Sequence, residues 1–209
     1  REEAKRISSF TSTSGPIFVL GTVGSAVFGD PAYGAVILVA HYASALTAGL
    51  IFRGRKRGTN AHPPVTVSAM PADSALQQSI ASSTLAMLAV GGYIVVGNML
   101  IDAISLTGLT SPIGAVPNAA ASGCLNALVF GSVEMTRGAM AAASVPNVHL
   151  AVASAAAIVS FGGLSVMMQS HAFLSGCGIG FLPLLARKCV QCVAAFVYAL
   201  IFSLIFFTN

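Results

Sequence analysis

The chain alternates long apolar segments with short polar or charged ones, and the apolar segments predict membrane-spanning helices. The clearest are Ala32–Phe52, Cys189–Phe207 and the longer Ile80–Leu106, since a helix needs about 20 apolar residues to cross a bilayer. Two further segments, Ile113–Val133 and His149–Gly178, carry no charge but contain Pro, Asn or Gly-Gly positions that interrupt a regular helix. This pattern predicts an all-α, polytopic helical bundle with broken or re-entrant helices.

The stretch Thr11–Gly29, TSTSGPIFVLGTVGSAVFG, contains the first predicted interruption. Its apolar part, Ile17–Phe28, is too short to cross a bilayer and follows a run of hydroxyl residues and the pair Gly15-Pro16. One interpretation is a half-helix, because non-helical backbone at membrane depth is tolerated where it lines a cavity and transporters aim such helix ends at their substrates. The other is a short tilted span with a Ser/Thr-rich N-cap. The residues alone leave both open.

A second predicted interruption lies at Ser160-Phe161-Gly162-Gly163, inside the uncharged segment His149–Gly178. It resembles the first in having a hydroxyl residue followed by Gly and another helix-breaking residue. Paired broken segments are a sequence indication of a binding site in transporters with inverted repeats. A seam of small residues that packs against another helix is the competing interpretation.

The composition supports a membrane protein, since 56% of the residues are hydrophobic and only 8% are charged, against about 25% charged residues in a soluble domain. We therefore expect one membrane domain over residues 1–209. The net charge of +4 is typical of basic loops at the cytoplasmic face and not of a nucleic-acid partner. No nucleophile–base pair or ligand cluster stands out in the apolar segments, so we expect no enzyme, cofactor or metal site; Cys189 and Cys192 are interpreted as small helix-face residues.

Basic clusters predict the orientation of the chain. The run Arg53–Arg57 and the pair Arg187-Lys188 are both expected in the cytoplasm, with 53–73 as a cytoplasmic loop. An even number of crossings must then separate them. Three apolar segments lie between the two clusters, so one of them is expected to be re-entrant, or the last to be a hairpin.

A few polar residues lie within the apolar segments. Asn98, Asp102 and Ser105 share one helix face. Asp102 either faces a cavity or a partner or, as is favoured, reaches headgroups or water near the helix end. Glu134 and Arg137 are spaced to pair on a helix, either as an interfacial ion pair or in a substrate site. His41 is expected to be a buried neutral histidine bonded to a neighbouring helix.

The order and spacing of three segments resemble the YlbJ family of sporulation integral membrane proteins, also called stage V sporulation proteins. These are TSTSGPIFVLGTVGSAVFGDPAYGAVILVAHYASALTAGLIFR, VEMTRG and SFGGLSVMMQSHAFLSGCGIGFLPLLARK. Members are about twice as long, so the resemblance implies a C-terminal half whose partner is the missing N-terminal membrane half. It also implies a nucleoside-recognition or "Gate" domain, similar to concentrative nucleoside transporters with their re-entrant hairpins. The implied function is dipicolinic acid export from the mother cell toward the forespore, in the outer forespore membrane.

The residues that match the family motifs are Ser12–Pro16, Glu134 with Thr136 and Gly138, and Ser160–Gly163 with Gln169. Helix ends and hydroxyl groups suit an anion such as dipicolinate, and Arg137 would supply a cation. The candidate substrate-binding residues are Ser12, Thr13, Ser14, Gly15, Glu134, Thr136, Arg137, Ser160, Gly162, Gly163 and Gln169. Two alternatives stay open: a nucleoside-like or other organic solute bound by Asn118, Asn126 and Gln169, and a scaffold or regulatory subunit without transport.

Overall fold

The computed structural model describes residues 13–53, 72–175 and 180–207. Over these ranges the chain is helical and contains no strand, which confirms the all-α prediction. Four helical stretches are long and apolar enough to cross a membrane, as expected of an integral membrane protein. The helices are α1 (Phe18–Val27), α2 (Pro31–Ile51), α3 (Ala72–Leu106), α4 (Ser111–Gly114), α5 (Ala119–Val133), α6 (Met135–Ala143), α7 (Val148–Phe161), α8 (Gly163–Leu174) and α9 (Phe181–Phe206).

Helix α7 forms the centre of the bundle. Every residue from Ala151 to Ser160 is buried, and the helix packs against α2, α5, α6 and α9. Six of these ten side chains are Ala or Ser between 151 and 157, and small side chains let helix backbones approach closely in a membrane protein. The bundle therefore has a narrow, alanine-rich core.

Helices α2 and α9 run antiparallel and define the two ends of the bundle. The Arg187 guanidinium lies 5.7 Å from the centre of the Phe52 ring, whereas at the other end the rings of Tyr33 and Phe207 are 4.8 Å apart. The end that contains Phe52, the residue before Arg53, is called here the Arg53 end. The opposite end, where Phe28 contacts Tyr33, is called the Phe28 end.

Helix α1 covers the Phe28-end half of α2 in antiparallel fashion. A Cβ on Gly24 would lie 2.7 Å from the Cα of Gly34, so the two backbones are in contact. The turns of α1 are π-helical: the Phe28 N–H donates to the carbonyl of Val23, five residues back. The short helix predicted after Gly15-Pro16 is confirmed, with wider turns than expected.

Helices α5 and α6 form a hairpin whose turn is Glu134. A Cβ on Gly138 would overlap the backbone of Gly131, and Gly123 faces Val145 further from the turn. Asn118 starts α5 by accepting hydrogen bonds from the amides of Ala120 and Ala121, at 2.9 and 3.1 Å. The feet of the hairpin, which are the start of α5 and the end of α6, lie at the Phe28 end. This follows because Cys124 and Val145 pack in one cluster with Phe28 and Ala151.

Helices α7 and α8 follow each other directly and are separated by a break at Gly162. His149, near the start of α7, bonds Ser203 near the end of α9 at 3.3 Å, so α7 begins at the Phe28 end. Gly162 and Gly163 both have positive φ, 85° and 72°, which ends α7 and redirects the chain into α8. The predicted interruption at Ser160–Gly163 is confirmed.

Two predicted helix starts differ from the structure, whereas the interruption predicted within Ile113–Val133 is present, because Pro117 and Asn118 separate α4 from α5. Helix α3 begins at Ala72, so residues 72 and 73 of the predicted loop 53–73 are helical, and 54–71 lie outside the described residues. Helix α9 begins at Phe181 and not at Cys189, which places Arg187 and Lys188 inside a helix.

Candidate functional site: a polar junction at the middle of the bundle

Three interruptions of helical structure meet beside His41. They are the residues before α1, the turn of the α5–α6 hairpin, and the break between α7 and α8. We call Ser14, His41, Glu134, Ser160 and Lys188 the polar junction. His41 is the middle residue of α2, and the backbone N–H of Ser14 donates to its Nε2 at 3.0 Å while its Nδ1 lies 2.8 Å from Ser160 Oγ. The two predicted breaks are thus joined through one imidazole.

His41 is fully buried and its tautomer follows from its partners. A backbone N–H can only donate, so Nε2 must be the unprotonated nitrogen that accepts from Ser14. The ring proton is therefore assigned to Nδ1, which donates to the Ser160 hydroxyl. The prediction of a buried neutral histidine bonded to a neighbouring helix is confirmed.

Lys188 extends the junction onto α9. Its ammonium donates to the carbonyl oxygen of Ser160 at 3.3 Å and to Gln191 Oε1 at 3.5 Å, and only 6% of the residue is exposed. This carbonyl lies in the last turn of α7, where a cation stabilises the negative end of the helix dipole. The expectation that Lys188 lies in the cytoplasm together with Arg187 is therefore wrong, although Arg187 does lie at the Arg53 end.

The sequence carried a signal for Lys188 that our interpretation missed. The buried residues of α9 recur every three or four positions, namely Leu184, Lys188, Gln191, Ala195, Ala199 and Ser203. This spacing marks one face of a helix, and most of its members are small or apolar. Extending the stripe backwards from Ser203 places Lys188 on the buried face.

Glu134 closes the hairpin turn from inside. Its Oε1 and Oε2 accept the backbone N–H groups of Thr136 and Arg137 at 3.0 and 2.8 Å, and the residue is 2% exposed. A carboxylate that caps a helix N-terminus satisfies free amides and complements the helix dipole. Glu134 therefore holds the start of α6, and its aliphatic part contacts α3 at Gly97, where an added Cβ would lie 3.1 Å away.

Arg137 pairs with α3, so the predicted ion pair with Glu134 is wrong. Its Nη2 lies 2.7 Å from Asp102 Oδ1, and its Nη1 lies 3.5 Å from Asn98 Oδ1. The reason is that the Glu134 carboxylate is already occupied by backbone amides of α6. Asn98 and Asp102 do share a helix face as predicted, but Asp102 has a protein partner and does not simply reach headgroups or water.

The glycines of the two breaks differ. A Cβ on Gly163 would lie 3.0 Å from the carbonyl oxygens of Gly131 and Val133, in a positive-φ conformation that side chains disfavour. Gly15 has neither feature: no described residue lies within 4 Å of an added Cβ, and its φ is outside the positive range. Among the described residues, nothing therefore requires glycine at position 15.

The remaining predicted residues surround the junction at greater distance or fall outside it. Thr13 is exposed, Thr136 is half-buried, and Gln169 is half-buried on α8, where no hydrogen bond between described residues joins it to the junction. Ser12 lies outside the described residues. In the described part of the chain no cluster of three or more His, Cys, Asp or Glu side chains is arranged to hold a metal.

A groove of 360 Å³ lies between α3 and α8, beside the hairpin turn. Its size falls within the range of small-molecule sites. The lining is mostly apolar, with Tyr93 and Ser165 as its hydroxyl residues. The full lining is Ala89, Gly92, Tyr93, Val96, Gly97, Leu100, Val133, Leu164, Ser165 and Met168. The first turn of α8 borders this groove, and no side chain caps it.

The chain is similar to one curated protein, the sporulation integral membrane protein YlbJ of Bacillus subtilis (strain 168). The two are 29% identical over 96% of this chain and 56% of the relative. The chain thus spans about half the length of the relative. No family model matches the chain, and no solved structure matches it. The match to YlbJ confirms the resemblance noted in the sequence.

Proposed function

We propose that this chain, a relative of the YlbJ sporulation membrane proteins, is part of a transporter that moves dipicolinate from the mother cell toward the forespore, in the outer forespore membrane. The observation that carries the proposal is the convergence of three chain interruptions at the middle of a membrane-spanning helix. In this proposal the site is shared with membrane segments beyond this chain, as the greater length of the relative suggests.

The depth of the junction supports this role. Helix α2 has 21 residues, and at 1.5 Å per residue it spans about 30 Å, the thickness of the hydrocarbon core. His41 then lies near the bilayer midplane, together with Ser14, Ser160 and the hairpin turn. Non-helical backbone at this depth is tolerated where it is buried in protein or lines a cavity, and transporters place substrate sites there.

The same depth makes the α5–α6 hairpin re-entrant in this proposal. Both of its feet lie at the Phe28 end, and its turn lies at the level of the junction. Between Arg53 and Arg187 the membrane is then crossed twice, by α3 and by the broken pair α7–α8. This number is even, as the orientation predicted from the basic residues requires.

The groove between α3 and α8 is the proposed place for the substrate. Dipicolinate is a planar aromatic ring with two carboxylates, and the apolar lining with Tyr93 suits the ring. The uncapped amides of the first turn of α8 suit a carboxylate. Arg137 supplies a cation next to the groove: it bonds Asn98, the neighbour of the lining residue Gly97, and its side chain is 40% exposed. Its guanidinium has five N–H donors, more than its contacts with Asn98 and Asp102 occupy.

The test uses the full-length protein that contains this chain, purified and reconstituted in liposomes. Uptake of dipicolinate is followed by terbium luminescence of the vesicle contents. We expect uptake above that of empty liposomes, and we expect Arg137→Gln to raise the half-saturating dipicolinate concentration while Arg137→Lys restores part of the affinity. Folded protein without any dipicolinate flux would contradict the proposal.

A second candidate is an uncharged aromatic or nucleoside-like solute. It is favoured by the groove itself, whose lining contains no Lys, Arg or His. The same liposomes distinguish the two candidates. A nucleoside substrate predicts inhibition by adenosine or uridine and no effect of Arg137→Gln on affinity, whereas dipicolinate transport predicts the reverse.

A further inference from the structure

We propose that His41 is a proton-binding latch, which holds the segment before α1 against the α7–α8 break when it is neutral and releases that segment when it is protonated. The proposal concerns the closed arrangement seen here, in which Ser14, His41 and Ser160 form one hydrogen-bonded chain. It adds a binding site for a proton to the polar junction and does not require any particular substrate.

The chemistry of the latch follows from counting donors. The bond from the Ser14 N–H at 3.0 Å needs a lone pair on Nε2, and only neutral imidazole has one. Imidazolium carries a proton on both ring nitrogens and has no acceptor. Protonation would therefore set two N–H groups against each other at Ser14. The Ser160 hydroxyl still accepts from Nδ1–H in either state, so the change acts on the Ser14 side alone.

The charged and titratable groups around His41 favour the neutral ring, the state in which the latch is closed. From α9, the Lys188 ammonium donates to the carbonyl of the same Ser160 that receives His41 Nδ1–H. A second positive charge on His41 would thus be close to an existing one, and like charges disfavour each other. From the hairpin, the Glu134 carboxylate is engaged by two amides of α6. On α2 itself, the Tyr42 ring is 5.6 Å from the imidazole, and α7 and the described segment before α1 present Ser160 and Ser14.

The segment that the latch holds has few other attachments. Thr13, Gly15 and Pro16 are exposed, and an added Cβ on Gly15 would meet nothing within 4 Å. Within the described ranges, two hydrogen bonds lead from residues 13–16 to other helices: the Ser14 N–H to His41 and the weak contact of Ser14 Oγ with Met135 Sδ at 3.9 Å. Loss of the first bond removes the stronger attachment, so the segment is released as a unit.

The test measures access to position 14 as a function of pH in the full-length protein without substrate. Ser14→Cys keeps the backbone N–H, and its reaction with a membrane-permeant thiol reagent is compared with that of Thr13→Cys, both with the native cysteines replaced. Thr13 is exposed, so the second variant corrects for the intrinsic pH dependence of thiols. We expect the labelling rate of Ser14→Cys, divided by that of Thr13→Cys, to rise severalfold as the pH falls from about 8 to about 4, an interval that extends below the range of a histidine in water because the ring is buried next to the Lys188 ammonium.

The variant His41→Gln identifies the group responsible. Its amide oxygen can accept from the Ser14 N–H at any pH, so the rate ratio should stay constant on acidification. A constant ratio in the protein with His41, or an equal rise with His41→Gln, would overturn the proposal. A rise that survives His41→Gln and disappears with Lys188→Met would assign the proton to Lys188, and the latch at His41 would be wrong.

A second measurement does not require the His41→Gln variant to fold. Replacing His62, His149 and His171, together with any histidine that the full-length protein carries outside this chain, leaves His41 as the single histidine for ring ¹⁵N NMR. We expect the Nδ1–H tautomer at alkaline pH and imidazolium at acid pH, with a midpoint that matches the rise in labelling at position 14. An Nε2–H tautomer, or a titration unrelated to access, would contradict the latch. Because no substrate is added, these results are independent of whether the protein transports dipicolinate.

Discussion

The two breaks that look alike in the sequence are held by different forces. At Ser160–Gly163 the chain is buried except for the half-buried Phe161, Gly162 and Gly163 have positive φ, and the backbone of Gly163 touches the hairpin turn. At Thr13–Pro16 the chain is exposed or half-buried, and Gly15 has an ordinary conformation with free space around it. The first break is therefore fixed by steric fit, and the second, among the described residues, mainly by the hydrogen bond from the Ser14 N–H to His41. A shared motif of hydroxyl and glycine does not imply a shared physical cause.

The largest expected effect is the difference between valine at the two glycines. Gly163→Val forces a β-branched residue into a positive φ, a strain of about 1–3 kcal/mol, and adds over-packing of about 1–3 kcal/mol against Gly131 and Val133. We expect little folded protein in the membrane and a greatly lowered thermal stability in detergent. Gly15→Val meets no neighbour and should leave the stability almost unchanged. Equal losses at both positions would mean that both breaks are fixed by fit.

The next largest expected effect is the difference in stability between alanine at Ser160 and alanine at Ser14. Ser160→Ala leaves the buried Nδ1–H of His41 without its acceptor, which costs about 1–3 kcal/mol. Ser14→Ala keeps the backbone N–H that bonds His41 and removes only the weak contact with Met135, so it should be close to neutral. Thermal unfolding of the two variants in the same detergent tests this difference. A loss at Ser14 as large as that at Ser160 would show that the Ser14 hydroxyl, and not its amide, anchors the first break.

The helical class, the interruption at Ser160–Gly163 and the neutral state of His41 could be predicted because each depends on local signals. Long apolar segments, a Gly-Gly pair and a lone histidine in such a segment are visible within one stretch of sequence. The requirement for Gly163 could not be predicted in the same way, since it depends on carbonyl oxygens about 30 residues away. For Gly15 the same local signal was misleading, because no described residue lies close enough to exclude a side chain.

The pairing of Arg137 shows the same limit. Spacing within the chain suggested Glu134 as its partner, but a carboxylate just before a helix is drawn to the free amides of that helix. The partner on α3, Asp102, is 35 residues away, and nothing local indicates that α3 and α6 are neighbours. Lys188 is the intermediate case: its adjacency to Arg187 suggested a cytoplasmic position, whereas the buried stripe of α9 carried the correct signal.

The smallest expected effect concerns the third interruption, at the hairpin turn, and distinguishes a cap from an ion pair. The Arg137–Asp102 pair has side chains that are 40% and 58% exposed, so a double-mutant cycle with Arg137→Gln and Asp102→Asn should give a coupling of about 0–1 kcal/mol.

The single change Glu134→Ala should cost about 0.5–2 kcal/mol as a lost cap. The cycle between Glu134 and Arg137 should show almost no coupling, because Glu134 binds the amide of Arg137 and not its guanidinium. Thermal unfolding of the single and double variants measures these couplings. A Glu134–Arg137 coupling larger than that of Arg137 with Asp102 would support the ion pair suggested by spacing. The hairpin turn would then be stabilised by a side-chain ion pair and not by the Glu134 cap.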